Sequence, residues 1–98
     1  MSNKHRGLVE IELDKTRQIR FTLNALAELE DKLGVPLTEL EGLTMGVKQI
    51  RTFLWAGLLH EEPELSEQAV GNMVDFDNIE YINEKINEAF QRATQRKN

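Results

Sequence analysis

Between Val9 and Leu23 the apolar residues keep to odd positions. Val9, Ile11 and Leu13 alternate with Glu10, Glu12 and Asp14. After the polar break Asp14-Lys15-Thr16-Arg17, the residues Ile19, Phe21 and Leu23 hold the same parity, with Arg20 and Thr22 opposite. A period of two belongs to extended chain with one buried face and one wet face. Two such runs with a short polar join predict a β-hairpin over 7–23. Glu10 and Glu12 are expected to face Arg20 and Arg17 across the strands. A lone hairpin is marginal in water, so its odd-numbered face must pack on the rest of the chain.

Beyond Leu23 the period changes. Asn24 is a candidate N-cap for a helix to Leu33, with Leu26, Leu29 and Leu33 on one side and Glu28, Glu30, Asp31 and Lys32 on the other. Gly34 stands where a left-handed C′ residue belongs, and Pro36 prevents continuation. Thr38 and Glu41 have capping-box spacing, which predicts one helical turn ended by Gly42. The most apolar helix is expected from Thr44 to about His60. Val47, Ile50, Leu54, Gly57 and Leu58 share a face, Phe53 lies at its edge, Trp55 and Leu59 lie on the far flank, and a polar strip runs past Gln49 and Thr52. Ser66 caps the next helix, with Leu65 placed to staple onto Val70, and Met73 and Val74 finish its apolar side. In the last helix Asp77 is the expected cap, Glu80 its box partner, and Phe76 the staple onto Tyr81. Ile79, Ile82, Ile86, Ala89, Phe90 and Ala93 then form one stripe.

The expected fold is α+β and mostly α, with an N-terminal β-hairpin packed on a small bundle of four or five helices. It forms a single domain over 1–98, with 7–23 the hairpin, 24–94 helical, and 1–6 and 95–98 flexible ends.

Charge and composition narrow the function. The chain carries 17 acids against 12 bases, a net charge of −5. Bases cluster only near the ends, at Lys4, His5 and Arg6 and at Arg92, Arg96 and Lys97, which disfavours a nucleic-acid partner. The opening Met1 to Arg6 has no apolar stretch of the signal-peptide kind, and Phe53 to Leu59 is far short of a membrane span. The expectation is a soluble, cytoplasmic protein with no membrane partner. It has no cysteine, hence no disulfide and no thiolate nucleophile.

Three acidic constellations invite chemistry and fall short. His60-Glu61-Glu62 lacks a second His at i+4 and reads as a polar helix end before Pro63. Asp75, Asp77 and Glu80 lack the glycine and twelve-residue frame of a calcium loop and read as capping residues. Glu61, Glu62, Glu64 and Glu67 could pair as acid and base, but beside Pro63 they read as a solvated run at a helix start. No phosphate loop or nucleophile elbow is present. No catalytic residue, no metal ligand and no cofactor is expected. Trp55 has two readings, core filling or an interface anchor. With Phe53 and Leu59 it forms the candidate partner-binding set, because the 44–60 helix is apolar on more sides than one small domain needs.

The order of whole segments carries more. It runs His5-Arg6-Gly7, then Val9-x-Ile11-x-Leu13-Asp14, then Phe21-Thr22-Leu23-Asn24-Ala25-Leu26-Ala27-Glu28-Leu29-Glu30 and Gly34. The block Phe53-Leu54-Trp55-Ala56-Gly57-Leu58 comes next, with an acidic proline loop and a short helix from Leu65 to Met73. Together these resemble the tail assembly chaperone family of tailed phages and gene transfer agents, over residues 5–75. No single motif is diagnostic; order and spacing carry the match. Lys15 stands where members often have glycine in the hairpin turn, and the helix over 77–94 is the part matched least well. The resemblance implies a non-enzymatic protein needed for tail morphogenesis in the host cytoplasm and absent from the mature particle. Its implied partner is the tape measure protein, with the tail tube protein a further candidate; the apolar excess of the 44–60 helix adds a second copy of the chain as a candidate partner. Two other classes compete: a structural virion component such as a head–tail connector or tail-completion protein, and a helix-turn-helix regulator. The second is disfavoured because the 66–74 helix offers Glu67, Gln68 and Asn72 but no base.

Overall fold

The computed structural model describes residues 8–40 and 46–94. Gly7, Glu41, Gly42 and Thr44, and the ends 1–6 and 95–98, lie outside the described residues.

Strands β1 (Val9–Glu12) and β2 (Thr16–Ile19) pair antiparallel, with Val9 opposite Ile19 and Ile11 opposite Arg17. Helices α1 (Leu23–Leu33), α2 (Leu37–Leu40), α3 (Val47–Leu58), α4 (Glu67–Gly71) and α5 (Ile79–Thr94) complete the order. The α+β architecture of a hairpin on five helices is therefore as expected. The odd-numbered register is too: Val9, Ile11, Ile19 and Phe21 are buried, Leu13 half-buried, and Glu10 and Glu12 exposed.

Several local expectations fail, each for a physical reason. The strands stop at Ile19, and Leu23, 82% exposed, opens α1 instead of extending the buried face. Thr16 and Arg17 belong to β2 rather than to the turn. Glu10 faces Gln18 and Glu12 faces Thr16, whose hydroxyl donates to the Glu12 carboxylate at 2.8 Å. Arg17 has the parity of the buried face and is only 6% exposed. Its guanidinium is satisfied at both ends, donating through Nε to Asp14 and through Nη1 to Glu62, each at 2.8 Å. A buried charge is tolerable when its donors are met this way.

The cap of α1 is Thr22, whose hydroxyl accepts from the Ala25 N–H at 3.1 Å; Asn24 lies inside the helix. Gly34 ends α1 at φ 73°, as its position predicts. Thr38 lies within α2 rather than at its cap, and the Leu37 N–H there donates to the Glu30 carboxylate at 2.6 Å. The cap of α3 is Gly46, whose N–H donates to the Gln49 side chain at 3.0 Å. Ser66 caps α4 as expected, while Met73 and Val74 fall beyond that helix. Before α5 the Asp75 carboxylate accepts from the Asp77 and Asn78 N–H groups, and the Asn78 side chain accepts from the Asp75 N–H at 2.8 Å. Asp75 and Asn78 thus close the turn assigned to Asp77 and Glu80. That tight loop turns Phe76 outward to 87% exposure, so it staples nothing.

The core forms where hairpin, α3 and α5 meet. Phe21, Phe53 and Phe90 make a three-way edge-to-face cluster, with ring centroids 5.7–6.1 Å apart. Leu29 of α1, Leu54 and Leu58 of α3, and Ile82 and Ile86 of α5 are fully buried around it. Gly57 lets β2 lie directly on α3: the Arg20 N–H donates to the Gly57 carbonyl at 2.9 Å. A β-carbon there would stand 2.5 Å from Ile19 Cγ2.

Candidate partner-binding surface

Both edges of the hairpin are occupied. Along β1, the Glu12 N–H donates to the Tyr81 hydroxyl at 2.9 Å, and Arg92 donates to the Leu8 carbonyl at 2.9 Å. Along β2, the Gln18 carbonyl accepts from His60 Nε2 at 2.8 Å, and the Gln18 N–H points to Glu61 Oε1 at 3.4 Å. His60, Glu61 and Glu62 therefore fasten the end of α3 to the hairpin. Free strand edges invite added strands, and here side chains of the same chain take up several of the outward backbone groups, which blunts both edges.

The residues picked from sequence separate. Phe53 is 3% exposed inside the aromatic cluster and presents no surface to a partner. Trp55 is half-buried against the core, its indole N–H donating to the Leu65 carbonyl at 2.8 Å and Lys32 Nζ lying 5.1 Å from the ring centroid. Leu59 is half-buried just past α3. The chain's own α1 and the loop before α4 thus claim Trp55.

One member of the polar strip expected on α3, Thr52, is also inward, while Gln49 stays half-buried. Thr52 is buried; its hydroxyl donates to Glu67 Oε2 at 2.7 Å and to the Lys48 carbonyl at 2.9 Å. Lys32 meets the other Glu67 oxygen at 3.3 Å. The Thr52 hydrogen bond, then Lys32 and the nearby Arg51, hold the Glu67 carboxyl below its ordinary range against the opposing effect of burial. Glu67 joins α1, α3 and α4, so it is not part of a solvated run. Asp14 is lowered to about 2, chiefly by its hydrogen bond from Arg17. These shifts belong to structural ties. Among the described residues no group of three or more His, Asp or Glu side chains could hold a metal ion, and no helix is long and apolar enough to cross a membrane.

The exposed apolar surface lies elsewhere. A groove of about 370 Å³ runs between α3 and the turn leading into α5. Ile50, Val74 and Ile79 form its floor, and Val47 and Phe76 its apolar rim. Arg51 stands on the α3 wall and Asp75 on the opposite one. Val47 is 65% exposed, although it shares a stripe with buried Ile50 and Leu54. Sequence reasoning missed this surface because helical spacing places Val47 on the core side and capping logic places Phe76 on Tyr81. The available signal was two large apolar residues, each beside a helix start.

No family model, no characterised protein and no solved structure matches the chain.

Proposed function

We propose that the protein is a non-enzymatic tail assembly chaperone of a tailed phage, prophage or gene transfer agent. In this reading it binds the tape measure protein in the host cytoplasm during tail morphogenesis and does not remain in the mature particle. One observation carries the reading: the order and spacing of segments from His5 through Met73 that resemble this family. The exposed groove at Val47 and Phe76 supports it, since a long helical partner with bare apolar stripes aggregates unless they are covered. A groove between helices covers such a stripe reversibly. The groove replaces Phe53, Trp55 and Leu59 as the surface assigned to the partner.

The test is co-expression with the tape measure protein that this reading assigns to it. The expected result is a soluble complex, with the tape measure protein insoluble when expressed alone. Unchanged solubility and no co-purification overturn the reading. Recovery of the chain as a stoichiometric component of purified particles favours a head–tail connector or tail-completion role instead.

A further inference from the structure

We infer that the groove between α3 and the turn into α5 is where two copies of this chain meet about a two-fold axis. The inference is read from the surface and stands independently of the chaperone reading. Phe76 projects at the rim of a groove whose volume of about 370 Å³ is ample for an aromatic side chain. A two-fold axis makes contacts reciprocal: what one copy inserts, it also receives. Each Phe76 then enters the groove of the other copy, over Ile50, Val74 and Ile79.

Charge selects this occupant. The charged side chains of the groove are Arg51 on one wall and Asp75 on the other. Under the same two-fold operation each Arg51 comes to the Asp75 of the other copy, so the surface is complementary to itself. That local match matters because a chain of net charge −5 otherwise repels its own copies. Among the described residues Arg51 makes no direct ion pair, although its charge also acts on Glu67, and Asp75 spends one carboxylate oxygen, Oδ1, on its turn. Aromatic and arginine side chains are also those that anchor interfaces. The contact is small, so the association is a reversible, concentration-dependent equilibrium. In the chaperone reading, such a dimer shields the groove until a client displaces the second copy.

The experiment is analytical ultracentrifugation of the full chain across a wide concentration range, without any partner. The wild type is expected to shift from monomer to dimer with rising concentration. Phe76→Ser and Arg51→Glu should each raise the dissociation constant at least about tenfold. Phe76 is almost fully exposed, so the melting temperature of Phe76→Ser should stay close to that of the wild type. Leu23→Ser, which removes an equally exposed leucine from α1, should leave association unchanged. A chain that is monomeric throughout, or a dimer indifferent to Phe76→Ser, overturns the inference. A monomeric wild type whose Phe76→Ser variant no longer retains the tape measure protein assigns the groove to a foreign helix. That outcome sinks the dimer and leaves the chaperone reading standing, whereas a dimer with no tape measure binding does the reverse.

Discussion

Replacing Gly57 by alanine places a methyl group where β2 crosses α3. The new β-carbon would stand 2.5 Å from Ile19 Cγ2 and 3.3 Å and 3.4 Å from two Phe21 ring carbons. Carbon atoms pack comfortably at about 3.5–4.0 Å, so strand and helix must separate by about 1 Å or Ile19 must turn. Neither is easy. Ile19 is fully buried with a stiff β-branched side chain, and the Arg20–Gly57 hydrogen bond pins the backbone beside it. Overpacking of this kind costs about 1–3 kcal/mol. Alanine recovers at most about 1 kcal/mol of helix propensity, and less in a last helical turn. The net loss is about 1–2 kcal/mol, a fall in Tm of roughly 4–16 °C for a domain of this size. Circular dichroism melts and urea titration measure it. A double-mutant cycle identifies the cause. Ile19→Ala alone should cost about 2–5 kcal/mol. In the Gly57→Ala background it should cost less, by a coupling of at least about 0.5 kcal/mol. If Gly57→Ala stabilises the protein, or the two changes simply add, the hairpin does not lie on α3 as described.

Trp55→Ala should lower stability by about 3 kcal/mol, and Trp55→Phe by about 1 kcal/mol for the lost indole hydrogen bond; unchanged urea midpoints would return Trp55 to the surface. Thr22→Ala should cost about 1 kcal/mol, while Asn24→Ala should stay within about 0.5 kcal/mol of wild type, and the reverse order would reassign the cap. Asp14 and Glu67 both have depressed folded-state pKa values, so the stability they confer is present above their unfolded values, 3.8 and 4.5, and is lost as pH falls below them. For Asp14 the loss completes near pH 2; it is small because the carboxylate is half exposed, and Asp14→Asn should flatten that acid limb in urea titrations at pH 7, 4 and 2. Thr52→Val should move the Glu67 carboxyl upward in an NMR titration, and an unmoved Glu67 would refute the hydrogen bond as the leading cause.

Periodicity was the most legible property of this chain. Alternation of Val9, Ile11, Ile19 and Phe21 specified a hairpin face, because a one-residue slip would turn the whole set to water. The stripe Ile82, Ile86, Ala89 and Phe90 specified the inward side of α5 in the same way. Gly34 and Ser66 marked a helix end and a helix start because each meets a purely local geometric need. Capping elsewhere was less legible, since neighbouring Thr, Asn and Asp residues are chemically near-equivalent. Local sequence does not choose between Thr22 and Asn24, or between Asp75 and Asp77.

The candidate surface depended on tertiary structure almost entirely. Phe53 and Val47 both read as members of an apolar helix, yet one fills the aromatic cluster and the other stands in solvent. The difference is that Phe21 and Phe90, from distant parts of the chain, pack on Phe53, which no spacing within α3 encodes. Arg17 and Thr52 went inward because distant carboxylates, Glu62 and Glu67, came within reach to satisfy them. Which elements form, and which face of the hairpin and of α5 turns inward, were thus legible in the residues themselves, since both rest on period and local capping. Which apolar side chains stay uncovered and which polar ones are buried emerged only in three dimensions, because both depend on contacts between residues far apart in the chain.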